Sequence, residues 1–402
     1  SLLTSLYPST HGVKNFSDYL PASATTLGEV FRDAGYATVS FASNLFTGQF
    51  TNLHQGFEVL HEDGSLSEIG SSKTSRAYVD RLLQFFESHR DVPFFAFVHL
   101  YDPHDPFEPR PPYNGLFADL EKKDQHEKDL ENVRKVIAEP LARIFGMPSR
   151  EELERAGIDA DHFVDFDKDW YDGSIRGMDA EIGRIFERLR ELGLDEETLV
   201  VFAGDHGEEF LEHGKMFHGQ SVYGELTRVP LIMRWPGGIP GGKTVDAVTE
   251  TIDVMPSVLE MSGIAPPEGV QGHSLVPLLR EDSGSWQNRP AISEKAKTKP
   301  GEGAPWPADT ESYSIIDGGF KLVHNRTRKE ETPEYELYDA AKDPFDQADL
   351  AAQHPDVVKR LAEALEGWYK MANEAKLAPD SEGTAGLSQK QLERLRSLGY
   401  IR

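Results

Sequence analysis

Cysteine is absent from all 402 residues. That excludes disulfides, thiolate metal sites and a cysteine nucleophile within this chain. No apolar run reaches the 18 or more residues of a membrane-spanning helix, so no integral membrane segment is expected. Positive charge is in short supply: 42 Lys and Arg stand against 68 Asp and Glu, for a net charge of −26. Such a surface repels nucleic acid and anionic membrane, and any anion must be held in a local cationic pocket. A Walker loop, a G-x-G-x-x-G turn and a G-x-S-x-G elbow are also missing. No signal peptide is visible, there is no initiator Met, and the first residues read like the middle of a motif.

What is present is an ordinary soluble composition, 38% hydrophobic and 27% charged. The length fits one large domain and a smaller one, divided here as 1–285 and 286–402. Thr25–Gly35 reads as a helix that Thr25 or Thr26 can cap and Gly35 stops. Ala37–Ala42 reads as a strand and Thr74–Glu87 as a helix. The nearly continuous apolar runs Pro93–Tyr101, Thr198–Ala203 and Val229–Trp235 read as strands buried on both faces. Ile175, Met178, Ile182, Ile185, Phe186 and Leu189 stripe an amphipathic helix over Tyr171–Leu192, and Thr251–Ser262 reads as another. The alternation predicts an α/β fold: a large, mainly parallel, doubly wound sheet flanked by helices. Leu120–Ala156 reads as a charged, helical, peripheral insertion.

The texture changes after about residue 285. Lys295–Asp309 reads as a loop. Tyr313–Asp317, Phe320–Asn325 and Tyr335–Tyr338 read as short strands, with Val357, Leu361, Leu365 and Trp368 striping a helix. This predicts a small C-terminal α+β unit, followed by a short tail helix over Ser388–Leu398.

Two apolar strands run into clusters of carboxylate and imidazole. The first is His99-Leu-Tyr-Asp102-Pro-His104-Asp105-Pro; the second runs from Asp205-His206-Gly207 through His213 and Lys215 to His218-Gly219. Ligands of doubly wound sheets bind beyond the carboxyl ends of strands, where both clusters fall. Asp205 at a strand tip suits a hard dication, with His206 adding a nitrogen; Asp before a turn is also a common helix cap. Three imidazoles within thirteen residues, His206, His213 and His218, weigh towards a site. His218 reads as an acid or anion-contacting group or as a loop histidine. Lys215 can neutralise an anion or lie in solvent. His104, bracketed by prolines, sits on a stiffened loop that suits a positioned contact. His99 falls inside the strand pattern and reads equally as a buried structural histidine. No nucleophile–base pair can be assembled from the sequence.

These segments resemble the sulfatase family of the alkaline-phosphatase superfamily. The opening SLLTSLYPSTHGV looks like the second part of its signature, Cys-x-Pro-Ser-Arg-x-x-Leu-Leu-Thr-Gly. GDHGEEFLEHG…HGQSVYGELTRVPLIMRWPGG resembles its second metal-binding segment, and FFAFVHLYDPHDPF the strand that delivers an active-site His. YELYDAAKDPFDQADLA and LSQKQLERLRSLGYI resemble the small C-terminal domain and a tail of bacterial members.

The resemblance implies a sulfuric ester hydrolase acting on a sugar or aryl sulfate. It would use a divalent metal, calcium above others, and a formylglycine nucleophile made from Cys or Ser. Asp205 and His206 would be metal ligands. His104 would contact the sulfate or leaving group and His218 the sulfate, with Lys215, His213 and His99 as further substrate contacts. Aligned to the signature, Ser1 falls about six positions after the nucleophile. The expectation is therefore a truncated chain, inactive by itself, whose parent is exported to the periplasm or outside. Ser5 stands in place of the signature Gly, and Ser43-Asn44 where many members carry Trp-His. The rival readings are a phosphoesterase or phosphonate monoester hydrolase of the same superfamily, because sulfate and phosphate are both tetrahedral oxyanions, and a non-catalytic sugar-binding relative.

Overall fold

The computed structural model describes residues 1–15, 18–62, 75–280, 286–297, 310–328 and 331–380. Thr26 caps the helix Leu27–Asp33 in a reciprocal box with Glu29, an arrangement that satisfies two orphan backbone donors and contributes about 1 kcal/mol. The chain then enters β1 (Ala37–Phe41), which pairs in parallel with β2 (Val59–His61) on one side and β3 (Phe94–Val98) on the other. The helix Ser75–Ser88 covers one face, and Tyr78, Leu82 and Phe86 bury against Val39 and Phe41. The helix Val254–Met261 and Leu27–Asp33 cover the other, through Val254, Met255, Leu259 and Phe31.

The long helix Ala160–Glu191 begins eleven residues before its expected start at Tyr171, because Asp159 caps it through the backbone N–H of His162. It leads to β4 (Val200–Ala203), the short hairpin β5 (Glu209–Phe210) and β6 (Met216–Phe217), and β7 (Leu231–Arg234). The parallel order β2-β1-β3 and the flanking helices bear out the α/β reading. Two details differ from expectation. β7 runs antiparallel to β4, a direction that an apolar run does not encode. β3 and β4 are half-buried along their whole length, since each is an edge strand among the described residues.

The insertion is less peripheral than its charge suggested. Val133, Ile137 and Leu153 are buried with Phe107, Phe163, Phe210 and Phe217. These residues form a separate core under the β5–β6 hairpin.

In the C-terminal part, β8 (Ala291–Lys295), β9 (Glu311–Asp317), β10 (Phe320–Thr327) and β11 (Tyr335–Asp339) form an antiparallel sheet of order β11-β10-β9-β8. Gly318 and Gly319 both take positive φ in its tight turn, where glycine costs no side-chain clash. The helix Pro355–Glu374 packs Leu361 and Leu365 on Tyr313, Ile315 and Leu322. Lys295, expected to open a loop, instead ends β8, and its ammonium donates to the Thr310 carbonyl (2.5 Å) and hydroxyl (2.7 Å). The rest of that expected loop from 298 on and the expected tail helix lie outside the described residues.

The opening segment is docked, not loose. Ser5 has φ +52, as the glycine of the signature would. Its hydroxyl donates to Ile252 O (2.8 Å) and accepts from Gly272 N–H (3.0 Å), and those bonds hold a conformation that non-glycine residues visit at a cost. Tyr7 donates to the Glu250 carboxylate and stacks edge-on to Trp368, while Ser9 and Lys14 engage Glu294. The segment thereby joins the α/β part to the C-terminal sheet and helix.

Candidate active site

His99, Asp102, His104 and Asp105 follow β3, and Asp205 and His206 follow β4, so the two strand ends bring both clusters together. Gly207 is needed where it stands: a Cβ there would lie 1.9 Å from Glu225 O. This close approach holds the turn after β4, and Gly207 N–H donates to Leu226 O at 2.8 Å.

Three imidazoles meet at the centre. His206 and His218 stack with centroids 4.0 Å apart, and His104 meets His218 edge-on at 4.8 Å and His206 at 6.4 Å. Each ring is aimed by a hydrogen bond at Nδ1. His104 Nδ1 donates to Asp105 O (2.7 Å), with Asp105 Oδ1 at 3.0 Å. His206 Nδ1 donates to Gly207 O (2.9 Å), and His218 Nδ1 to Glu208 Oε1 (3.0 Å).

The Asp205 carboxylate projects beyond β4 with 69% of its side chain exposed. Its Oδ2 lies 3.7 Å from His99 Nε2 and 3.8 Å from His206 Nε2. Desolvation works to raise its pKa, but the His99 contact and the charges of His206 and His99 outweigh this and hold the carboxyl well below the usual range. His206 is pushed down by burial and by His218 beside it. For His104 burial acts downwards, but hydrogen bonds and charge from Asp105 prevail and raise it.

The residues fit a divalent cation. Asp205 offers an oxygen and His206 its Nε2, while the Nδ1–H to backbone carbonyl bond on His206 is the arrangement that orients metal-ligating imidazoles. Asp205 and His206 would hold the ion.

Not every residue singled out in the sequence joins this cluster. His99 lies behind Asp205: its Nδ1 bonds the Ser43 hydroxyl and its Nε2 faces the carboxylate. Ser43–His99–Asp205 has the order of a nucleophile relay, yet Ser43 is 2% exposed. No substrate atom can reach its hydroxyl, so the trio positions Asp205.

His213 points away from the imidazoles. Nδ1 donates to Glu225 Oε1 (2.7 Å), Nε2 donates to Asp346 O (3.0 Å), and the ring stacks on Tyr223 at 3.7 Å. Both ring nitrogens thus face acceptors, and the ring joins the β5–β6 region to the C-terminal part. Lys215 and His213 line a cavity of about 350 Å³ with Gln220 and Arg328.

The position of His213 sets a pH dependence. Burial lowers its pKa, but the Glu225 carboxylate, the Asp346 carbonyl and nearby Glu209 overcome this and raise it above its ordinary value. The raised pKa stabilises the fold fully below the unfolded value of about 6.5, and this contribution is lost as pH rises through the folded value. Tyr223, Lys321 and Gln347 also pack around this junction. His213→Gln should flatten the fall in thermal midpoint between mildly acidic and mildly alkaline pH. An identical slope in the variant would contradict the assignment.

Sequence reasoning assigned no role to Ser43 or to Asp105, although both stand in segments singled out there, and none to Glu208, Glu209 or Glu225. Glu208 and Glu209 are neighbours with different partners, Glu208 pairing with His218 and Glu209 with the loop that follows it. Glu209 is fully buried and accepts from His213 N–H (3.0 Å), Lys215 N–H (2.8 Å) and Gln220 Nε2 (2.6 Å). It therefore ties the loop that Leu211 (φ +67), Gly214 (φ +80) and Phe217 (φ +72) bend. Only the onset of a strand at Glu209 separates the two roles, and a two-residue strand gives no periodic signal.

The ends of β3 and β4 and the β5–β6 hairpin thus gather a carboxylate and three imidazoles in one place. The chain belongs to the sulfatase family, whose profile matches residues 1–264. A second profile, described as N-sulphoglucosamine sulphohydrolase, C-terminal, matches 211–370.

The chain is 28% identical over 306 residues to an ulvan-active sulfatase of Formosa agariphila, covering 70% of this chain and 54% of that protein. It is 30% identical over 202 residues to an N-acetylglucosamine-6-O-sulfatase of Bacteroides thetaiotaomicron, covering 48% and 34%. The chain thus spans about half the length of the first of these relatives and a third of the second.

Among solved structures, one described as a complex with its substrate D-glucosamine-2-N,6-O-disulfate superposes with a TM-score of 0.70 at 21% identity, covering 95% of this chain and 88% of the other. The phosphonate monoester hydrolase of Silicibacter pomeroyi gives 0.70 at 20%, covering 92% and 85%. At such identities these two likenesses speak for the fold.

Proposed function

We propose that the protein hydrolyses sulfate esters of carbohydrates. The observation that carries this is the meeting of His104, His206 and His218 beside Asp205 at the strand ends of a sulfatase-family chain. Two relatives named for sugar substrates, the ulvan-active sulfatase and the N-acetylglucosamine-6-O-sulfatase, support a sugar ester, while others are named arylsulfatases. In this reading 1–285 supplies the site residues and 286–402 is a C-terminal unit braced against it.

The net charge of −26 repels a sulfate at long range, so local donors must hold it. His104 and His218 present imidazole N–H groups that bind the sulfate and donate to the ester oxygen as it leaves. Asp205 and His206 would hold a dication, calcium by the resemblance, which would supply polarisation and charge neutralisation of the sulfate oxygens. The His206 nitrogen also suits manganese or zinc. Asp105 and Glu208 aim the rings, and His99 with Ser43 fixes Asp205. The nucleophile in this reading is the formylglycine of the sulfatase signature.

The test, on a protein that carries the signature's nucleophile segment ahead of these residues, compares matched aryl sulfate and aryl phosphonate esters, and a 6-O-sulfated glucosamine, with and without chelator. Metal-dependent release of inorganic sulfate, with the sulfate ester preferred over the phosphonate, is expected. Preference for the phosphonate ester would replace this reading with the phosphonate monoester hydrolase one.

A further inference from the structure

We propose that Glu208 is a positioning residue of this site: it takes the Nδ1 proton of His218 and thereby decides which nitrogen of that ring faces the substrate. The role given to His218 rests on the sulfate-ester reading; the orientation is a property of this chain alone.

Several observations converge. The Glu208 side chain is 5% exposed, against 21% for His218, so the carboxylate lies behind the ring, away from solvent. Its hydrogen bond to His218 is the one its side chain makes to a described residue. Glu209 next to it spends both oxygens on loop donors. Two adjacent acids thus divide the work, one holding the hairpin and the other reaching the imidazole cluster.

The ring of His218 is confined by the stack on His206 and by the edge of His104. Within that slot it keeps one freedom, a half-turn about its Cβ–Cγ bond. The half-turn would swing Nδ1 away and leave the Glu208 carboxylate buried without a donor, which is costly. Glu208 therefore selects both the ring orientation and the Nδ1–H tautomer. Nε2, which carries no hydrogen bond to a described residue, faces the substrate, and on taking up a proton there the ring, still held at Nδ1 by Glu208, donates from Nε2 to the anion or the departing oxygen. The logic is that of a buried acid holding a catalytic histidine in one tautomer.

Imidazole ¹⁵N–¹H spectra at fixed pH and steady-state kinetics on a sulfated sugar test this together. In wild type His218 should show the Nδ1–H tautomer. Glu208→Ala should shift it towards Nε2–H and lower kcat about tenfold to a hundredfold with little change in KM. Glu208→Gln keeps an acceptor of the same shape. It should retain the tautomer with faster Nδ1–H exchange and recover much of kcat, and it carries the test if the alanine variant does not fold.

An unchanged His218 tautomer in folded Glu208→Ala, or unchanged exchange in Glu208→Gln, would overturn the proposal. If wild type that carries the signature's nucleophile segment releases no sulfate, the functional reading falls while the spectra still decide the role of Glu208.

Discussion

Asp205→Asn is expected to remove divalent-metal binding and to lower sulfate-ester turnover about a thousandfold or more, the scale of losing a charge-stabilising contact to a reacting oxyanion. The substitution keeps the shape and one acceptor oxygen and deletes only the negative charge. Desolvation pulls the carboxyl up, but at 69% side-chain exposure that pull is weak, and the His99 contact and the charge of His206 hold it below its usual range. Ser43 fixes the far side of His99, so the carboxylate is aimed as well as charged. The side chain is open to solvent at 69% exposure, and its loss should cost little stability. Metal content by mass spectrometry and kcat, read together, decide the matter. A variant that retains stoichiometric metal and full turnover would remove Asp205 from the site.

The largest stability effect is expected at Asp346→Ala, far from the imidazoles. Lys321 Nζ donates to Asp346 Oδ2 at 2.6 Å, with side chains 4% and 2% exposed. The same oxygen accepts from Gly224 N–H (2.8 Å), and the Asp346 carbonyl accepts from His213. Burial pulls against this pair, pushing the Lys321 ammonium down and the Asp346 carboxyl up; their contact offsets it. Removing the acid leaves an unpaired buried cation, a loss of about 3–5 kcal/mol. The alanine would also take φ +54, a left-handed conformation that strains it further. Urea denaturation should show the loss. Adding Lys321→Met to Asp346→Ala should recover part of it, because the orphaned charge is gone. A double variant as unstable as the sum of the singles would mean the two side chains act independently.

These two residues show unequally well in a sequence. Asp205 stands out because a buried-looking strand, TLVVFA, runs straight into Gly-Asp-His-Gly, and strand ends are where such sheets bind ligands. The local signals that placed helices Leu27–Asp33 and Pro355–Glu374 were similarly direct, a cap in one and a stripe in the other. Asp346 carries no such mark. Its partner Lys321 is 25 residues away and Gly224 lies 122 away, so its role exists only once the two parts of the chain are docked.

His213 illustrates the same limit. Local spacing groups it with His206 and His218, but its ring nitrogens are taken by Glu225 and by a carbonyl 133 residues distant. The half-burial of β3 and β4 was hidden for a related reason: an apolar run records what a strand is suited to, not whether both its edges are paired. The core under the β5–β6 hairpin was hidden by charge, since Val133, Ile137 and Leu153 are sparse among acids and lysines.

The central claim is that Asp205 and His206 hold a dication while His104 and His218 hold a sulfate. Diffraction from crystals soaked in calcium and sulfate tests it most directly. The account predicts cation density against Asp205 and His206 and a tetrahedral anion against His104 and His218. A cation seated instead between the buried Glu209 and Glu225 and the half-buried His213, with no anion among the three imidazoles, would contradict it.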